Sequence, residues 1–136
     1  WTCILRMSRH EARVLALQAL YEADMAHHAA DAVLKRHLAE FNHPDSLRQY
    51  AAELVNGIMQ EREALDQLIG ALAPEFPPEH LSPIDRNILR IALYEMRQGV
   101  VPLKVAISEA VNLAKAFGSE SSFRFVNGVL GAAARQ

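Results

Sequence analysis

The sequence is short of the features that would mark a secreted, membrane or nucleotide-binding protein. Its one cysteine, Cys3, cannot form an internal disulfide, which fits the reducing cytoplasm. Its six glycines form no glycine-rich phosphate loop and mostly fall at or within the expected helices. No apolar run approaches the roughly 18 residues of a membrane span, so we expect no membrane insertion. The composition therefore predicts a cytoplasmic domain with its own hydrophobic core.

Catalytic groupings are also missing. No nucleophile stands with a recognisable base and orienting group. Four residues at helical spacings could in principle gather a metal: Asp24, His27, His28 and Asp31. No H-E-x-x-H motif or cysteine cluster accompanies them, and histidine near a helix end commonly stabilises the last carbonyl groups. We therefore predict that the protein is not an enzyme and needs no metal or cofactor.

The net charge of −2 conceals an uneven distribution. Residues 1–20 carry three arginines and one glutamate, which gives +2. Residues 40–79 carry eight acids and two bases, which gives −6, and residues 80–136 carry seven bases and four acids, which gives +3. Because electrostatic steering depends on local potential, a basic surface built from the two chain ends could bind RNA. An ordinary solvated surface fits the same distribution.

Apolar residues recur at helical spacing along nearly the whole chain, and convincing alternating runs are absent. Ser8 and Glu11 form a capping box that predicts a first helix from about residue 8 to about residue 27. Asp31 is expected to cap a short second helix. The pattern resumes at Asp45 and continues to about residue 72, across a bend near residue 60. Residues 1–6 are expected to lie outside the native fold.

Prolines divide the predicted helices into two halves. Pro74–Pro78 is the strongest helix-breaking stretch, so we place the boundary between an N-terminal subdomain, 1–73, and a C-terminal subdomain, 74–136. The second half has clear helix signals. One helix is expected to start at Ser82 and stop at Gly99, the next to start at Pro102 and stop at Gly118, and the last to be capped by Ser119. We predict an all-α protein, with about three helices in the first half and three or four in the second.

Basic and aromatic residues near both chain ends suit RNA. Arg9 and Arg13 are four residues apart, and His10 is three before Arg13, so all three are expected on one face of the first helix. The planar guanidinium group binds phosphate and stacks on unpaired bases. Near the other end, cations alternate with rings at Lys115, Phe117, Arg124 and Phe125. A solvated arginine face, and core packing of the two phenylalanines, fit these patterns as well.

Three blocks of sequence, in this order and spacing, resemble one family. They read LRIALYE at residues 89–95, VPLKVAISEAVNLAKAFG at 101–118 and FVNGVL at 125–130. The first half agrees more loosely, through Ala19-Leu20-Tyr21 and Leu54-Val55-Asn56-Gly57. From Met7 onwards the chain resembles the NusB family of bacterial transcription antitermination factors.

This resemblance implies two packed helical bundles and an RNA-binding function without a cofactor. NusB proteins bind the boxA element of nascent RNA, notably in ribosomal RNA leaders, as a heterodimer with the ribosomal protein NusE. With NusA and NusG, the complex helps RNA polymerase pass terminators. The resemblance assigns RNA binding to Arg9, Arg13, Phe117, Ser121, Arg124 and Phe125. It assigns NusE binding to Tyr21, Glu79 and Asp85.

The chain departs from the family pattern at a few positions. His10 and Glu11 stand where basic residues are common, so the arginine-rich start is thinner, and Ser121 stands where an acid is common. Two other functions remain open: an accessory domain of a ribosomal RNA cytosine methyltransferase, and a helical adaptor that binds only proteins. A homodimer could also cover the arginine face.

Overall fold

The computed structural model describes residues 2–99 and 101–136, and all the regular structure within them is helical. A 3₁₀ turn, Pro78–His80, stands before the fifth α-helix. None of the described helices is long and apolar enough to cross a membrane. The all-α prediction is confirmed. The α-helices are α1 Thr2–Ala26, α2 Ala30–Glu40, α3 Asp45–Gln60, α4 Arg62–Leu72, α5 Pro83–Gln98, α6 Leu103–Phe117 and α7 Ser122–Ala134.

Both predicted ends of α5 are confirmed. The Ser82 hydroxyl accepts a hydrogen bond from the backbone N–H of Asp85 at 3.1 Å, and Pro83 occupies the first turn. Gly99 ends the helix in the left-handed conformation, with φ 68°, and its N–H donates to the carbonyl of Glu95 at 3.1 Å. These two motifs satisfy backbone groups that a helix leaves unpaired at its ends.

Three predicted helix starts are wrong. The backbone is already helical at Thr2, so Ser8 lies inside α1 and residues 2–6, expected outside the fold, belong to that helix; Trp1 lies outside the described residues. Ala29 is the N-cap of α2, which places Asp31 in the first turn, where an acid suits the positive helix end. α7 begins at Ser122, so Ser119 lies in the preceding loop.

The helices form two compact units, and the chain passes from the first to the second between Gln60 and Glu61. The second unit is Glu61–Gln136. The first unit therefore contains α1–α3 and the second contains α4–α7. This division differs from the predicted boundary at Pro74–Pro78. α4 belongs to the second unit because it packs against α5 and α7, with Leu65 and Ile69 fully buried. Apolar spacing could not reveal this, since it marks the buried face of a helix but not its partner.

In the first unit, α1 packs against both α2 and α3, and α2 packs against α3. Leu17 and Leu20 of α1 are almost fully buried, as are Leu47, Leu54 and Ile58 of α3. Each such side chain stabilises the fold by roughly 2 kcal/mol relative to exposure. The core therefore fixes the position of α1, which carries the first group of predicted RNA-binding residues.

In the second unit, α5 packs against α4, α6 and α7, and it also carries a buried polar group. Arg90 is 5% exposed and donates to both carboxylate oxygens of Asp66 on α4, each at 2.8 Å. A third donation, at 3.0 Å, goes to the side-chain oxygen of Asn87. A paired carboxylate and guanidinium can be buried where either charge alone could not. This network joins α4 to the centre of the unit.

Candidate nucleic-acid interface

The two arginines of α1 lie against Tyr50 of α3. Their guanidinium carbons are 5.1 Å (Arg9) and 5.9 Å (Arg13) from the ring centroid, within cation–π range. Arg13 is only 2% exposed, whereas Arg9 is partly exposed. In this structure, therefore, Arg9 is accessible to a phosphate and Arg13 is an interior residue that holds the tyrosine ring.

His10 does not share the face of the two arginines, so this part of the prediction is wrong. It is exposed and lines a groove of about 350 Å³ in the first unit, together with His37 and Phe41. The two arginines turn towards α3, whereas His10 turns towards α2. Of the two predicted arginines, Arg9 is thus the one that is accessible on α1.

In the second unit, two cations lie over the ring of Phe123. The ammonium nitrogen of Lys115 is 5.4 Å from the ring centroid, and the guanidinium carbon of Arg124 is 5.3 Å from it. Lys115 lies in the last turn of α6 and Arg124 in the first turn of α7. We refer to Lys115, Phe123 and Arg124 as the cation cluster. Phe123 was not among the predicted site residues.

A tight connection between α6 and α7 brings the cation cluster together. A Cβ atom added to Gly118 would lie 2.5 Å from the side-chain oxygen of Ser122 and 2.8 Å from the carbonyl oxygen of Ala114. Real Cβ contacts are essentially never that short, so only glycine fits here. Ser121 follows at the N-cap of α7 with an exposed side chain. Its hydroxyl is 3.4 Å from that of Ser119.

The two predicted phenylalanines lie in different environments. Phe117, at the end of α6, is 41% exposed, so core packing does not account for it. Phe125 is partly buried and meets Phe76 edge to face, with ring centroids 5.4 Å apart. Phe76 itself is 50% exposed and was not among the predicted site residues. Its place between Pro74 and Pro78 gave no helical periodicity from which its neighbours could be inferred.

The predicted partner-binding residues are divided between the units. Tyr21 lies on α1 and is 37% exposed. Glu79 is exposed on the 3₁₀ turn, and Asp85 is partly exposed in the first turn of α5. Arg86 donates to the carbonyl of Pro78 at 3.0 Å, which ties the 3₁₀ turn to α5. The two acids therefore occupy neighbouring, fixed positions in the second unit.

Within the described parts of the chain, no three or more His, Cys, Asp or Glu side chains are close enough to hold a metal ion. Around the connection between α6 and α7, the accessible groups described above are cations, aromatic rings and hydroxyls. Such groups can bind a polyanion and stack on flat rings.

Comparisons with known proteins agree with this architecture. The model of the NusB family matches residues 10–135. The transcription antitermination protein NusB of Dehalococcoides mccartyi is 49% identical over 124 residues, which cover 90% of this chain and 87% of that protein. NusB of T. maritima has a TM-score of 0.89 and 30% identity, over 94% of this chain and 91% of that one.

A further solved structure contains antitermination factors NusB and NusE in complex with dsRNA. One of its chains has a TM-score of 0.85 and 26% identity, over 95% of this chain and 97% of that one. Both the sequence and the fold therefore agree with the family model along almost the whole chain. The chain belongs to the NusB family.

Proposed function

We propose that this protein is a non-catalytic, RNA-binding transcription antitermination factor that binds boxA RNA together with the ribosomal protein NusE. The observation that carries the proposal is the cation cluster, where Lys115 and Arg124 lie over the ring of Phe123. Its family membership, and its similarity to a chain of the NusB–NusE–dsRNA structure, support the choice of ligand. We further infer that it acts in the cytoplasm with RNA polymerase, NusA and NusG, notably on ribosomal RNA operons.

The RNA contacts follow from exposure and chemistry. Arg9 and Arg124 are accessible and would bind phosphates, because guanidinium groups form charge-assisted hydrogen bonds with phosphate oxygens. Phe117 offers an exposed ring, and the Ser121 hydroxyl can donate to RNA without adding a negative charge. Arg13 would act indirectly, since it holds Tyr50 against Arg9.

NusE would bind through Tyr21, Glu79 and Asp85. An exposed tyrosine can bury its ring in an interface and still use its hydroxyl. The exposed Glu79 and the partly exposed Asp85 complement a basic ribosomal protein, and such complementarity sets encounter rate and specificity more than affinity. Because Arg86 and the Ser82 cap fix the segment that carries the two acids, little ordering would be needed on binding.

The first test measures binding of a boxA RNA and of a scrambled RNA, with and without NusE, at two salt concentrations. We expect a salt-sensitive preference for boxA that becomes stronger with NusE. Arg9→Ala and Arg124→Ala should weaken RNA binding and each reduce the slope of log affinity against log salt by about 0.7–1. The matched control is Arg62→Ala, which removes an exposed arginine of α4 outside the proposed site and should leave the slope unchanged.

Arg13→Ala separates direct contacts from indirect ones. Since Arg13 is 2% exposed, its replacement should lower stability without the slope change of a lost phosphate contact. No preference for boxA even with NusE would contradict the proposal. RNA binding that neither prefers boxA nor responds to NusE would favour the methyltransferase accessory domain, and salt-insensitive protein binding without RNA affinity would favour the adaptor.

A further inference from the structure

A groove of about 340 Å³ lies beside α7 in the second unit. Its walls include Phe76 and Phe125, the edge-to-face pair, together with Glu75, Arg124 and Gly128. We refer to this site as the α7 groove. Its volume is within the range of sites that hold small ligands or parts of larger ones. One of its wall residues, Arg124, already belongs to the proposed RNA site, and the family resemblance assigns RNA binding to another, Phe125.

Gly128 lines the α7 groove, and its lack of a side chain leaves space there. The packing of the protein does not require a glycine at this position. Glycine in a helix interior destabilises the helix relative to alanine. A Cβ atom added at this position would meet nothing within 4 Å, so packing within the protein does not demand a glycine. The backbone of Gly128 does not require a glycine either. Among the described glycines, a positive φ is found at Gly99 and not at Gly128. Close approach of a ligand to the backbone of α7 would explain the residue.

The remaining walls indicate what the ligand is. Phe76 exposes half of its surface, and an exposed ring on a groove wall is a stacking surface for a flat apolar group. Arg124 supplies a cation at the same site, already held over Phe123. The carboxylate of Glu75 would repel a phosphate inside the groove, so the phosphate belongs at Arg124 and the uncharged part of the ligand belongs inside. A ribonucleotide has this division of charge.

We propose that the α7 groove binds one unpaired base of single-stranded RNA, which stacks on Phe76 and passes close to Gly128, while Arg124 holds the adjoining phosphate. This inference rests on the proposed RNA-binding function and adds a base-binding position to it. Phe76 and Gly128 then become residues that select unpaired RNA, because a base held within a duplex could not enter the groove.

The experiment fills the groove without weakening the fold. Gly128→Ala and Gly128→Leu add increasing bulk on α7 into open space, and both improve helix propensity. Gly131→Ala is the matched control, because it makes the same change on the same helix outside the groove, where the added Cβ atom would lie 3.6 Å from a guanidinium nitrogen of Arg135, an ordinary contact. Phe76→Ala removes the stacking ring. RNA binding is measured with a single-stranded boxA RNA and with copies in which one base at a time is replaced by an abasic site.

We expect Gly128→Leu and Phe76→Ala to weaken binding by about 5-fold to 150-fold, the range for stacking one base on an aromatic side chain. Gly128→Ala should have a smaller effect and Gly131→Ala none. One abasic position should weaken binding to the unmodified protein but not to Gly128→Leu, which would locate the base in the groove.

Two results would overturn the inference while leaving the proposed function intact. In the first, Gly128→Leu binds every RNA as the unmodified protein does. In the second, Gly128→Leu loses NusE binding and keeps its RNA affinity, which would make the groove a protein site. Failure of the unmodified protein to bind RNA would instead contradict the proposed function, and the inference with it.

Discussion

Replacing Arg90 with methionine tests the buried network that joins α4 to α5. The Arg90 side chain is 6% exposed and makes two 2.8 Å hydrogen bonds to Asp66, so the substitution leaves a partly buried carboxylate without its cation. Removing one partner of a buried ion pair costs about 3–5 kcal/mol. Because the Asp66 side chain is 29% exposed, water restores part of its solvation, and we expect a loss near the lower limit, about 3 kcal/mol.

Urea denaturation followed by circular dichroism would measure this loss as a change in the free energy of unfolding. The corresponding decrease in melting temperature is about 10 °C for a domain of this size. Methionine retains much of the aliphatic volume of Arg90, so a cavity should contribute little. The control is the double variant Arg90→Met with Asp66→Leu, which removes both charges and should recover most of the loss. A single-variant loss below about 1 kcal/mol, or additive losses in the double variant, would show that the Arg90–Asp66 pair does not stabilise the fold in this way.

Two substitutions at helix ends test the local structure. Ser82→Ala removes the side-chain acceptor for the N–H of Asp85 and should lower the free energy of unfolding by about 1 kcal/mol. The control, Ser108→Ala, lies on the exposed face of α6 and should not lower it. An equal loss in both variants would show that the cap does not stabilise the protein. His27 has φ 57° just after α1, a conformation that glycine adopts without strain. His27→Gly should therefore raise the free energy of unfolding by about 0.5–1 kcal/mol, which would be observed as a higher melting temperature. His28→Gly is its control and should give no gain; a gain in both, or in neither, would contradict the strain argument.

The fold was predictable where local chemistry decides the structure. The Ser82 cap and the Gly99 stop depend on a few neighbouring residues, and both are confirmed. The division into units was not predictable, because α4 joins α5 partly through a pair separated widely in sequence, Asp66 and Arg90. Local patterns carry no information about such pairs. The helix-breaking stretch Pro74–Pro78 was therefore predicted to divide the two subdomains, whereas the units divide after Gln60.

The candidate site shows the same limit. Helical spacing placed Arg9 and Arg13 on one face, and both do lie against Tyr50. It could not show that Arg13 is buried, because burial depends on how α3 packs against α1. Phe123 was missed for a similar reason, since its contact with Lys115 depends on the loop between α6 and α7. Alternation of cations and rings drew attention to the segment that holds Lys115 and Arg124, but it did not predict that Phe123 is the ring beneath both cations.

The contacts of Phe123 also bear on the entropy of binding. Long cationic side chains normally lose about 0.5–1.5 kcal/mol of rotational freedom each when a ligand immobilises them. Lys115 and Arg124 already rest on a ring in the free protein, so part of this loss occurs during folding and less remains for the encounter with a phosphate. If RNA binds here as proposed, these two cations would therefore lose less rotational freedom on binding than two freely moving ones.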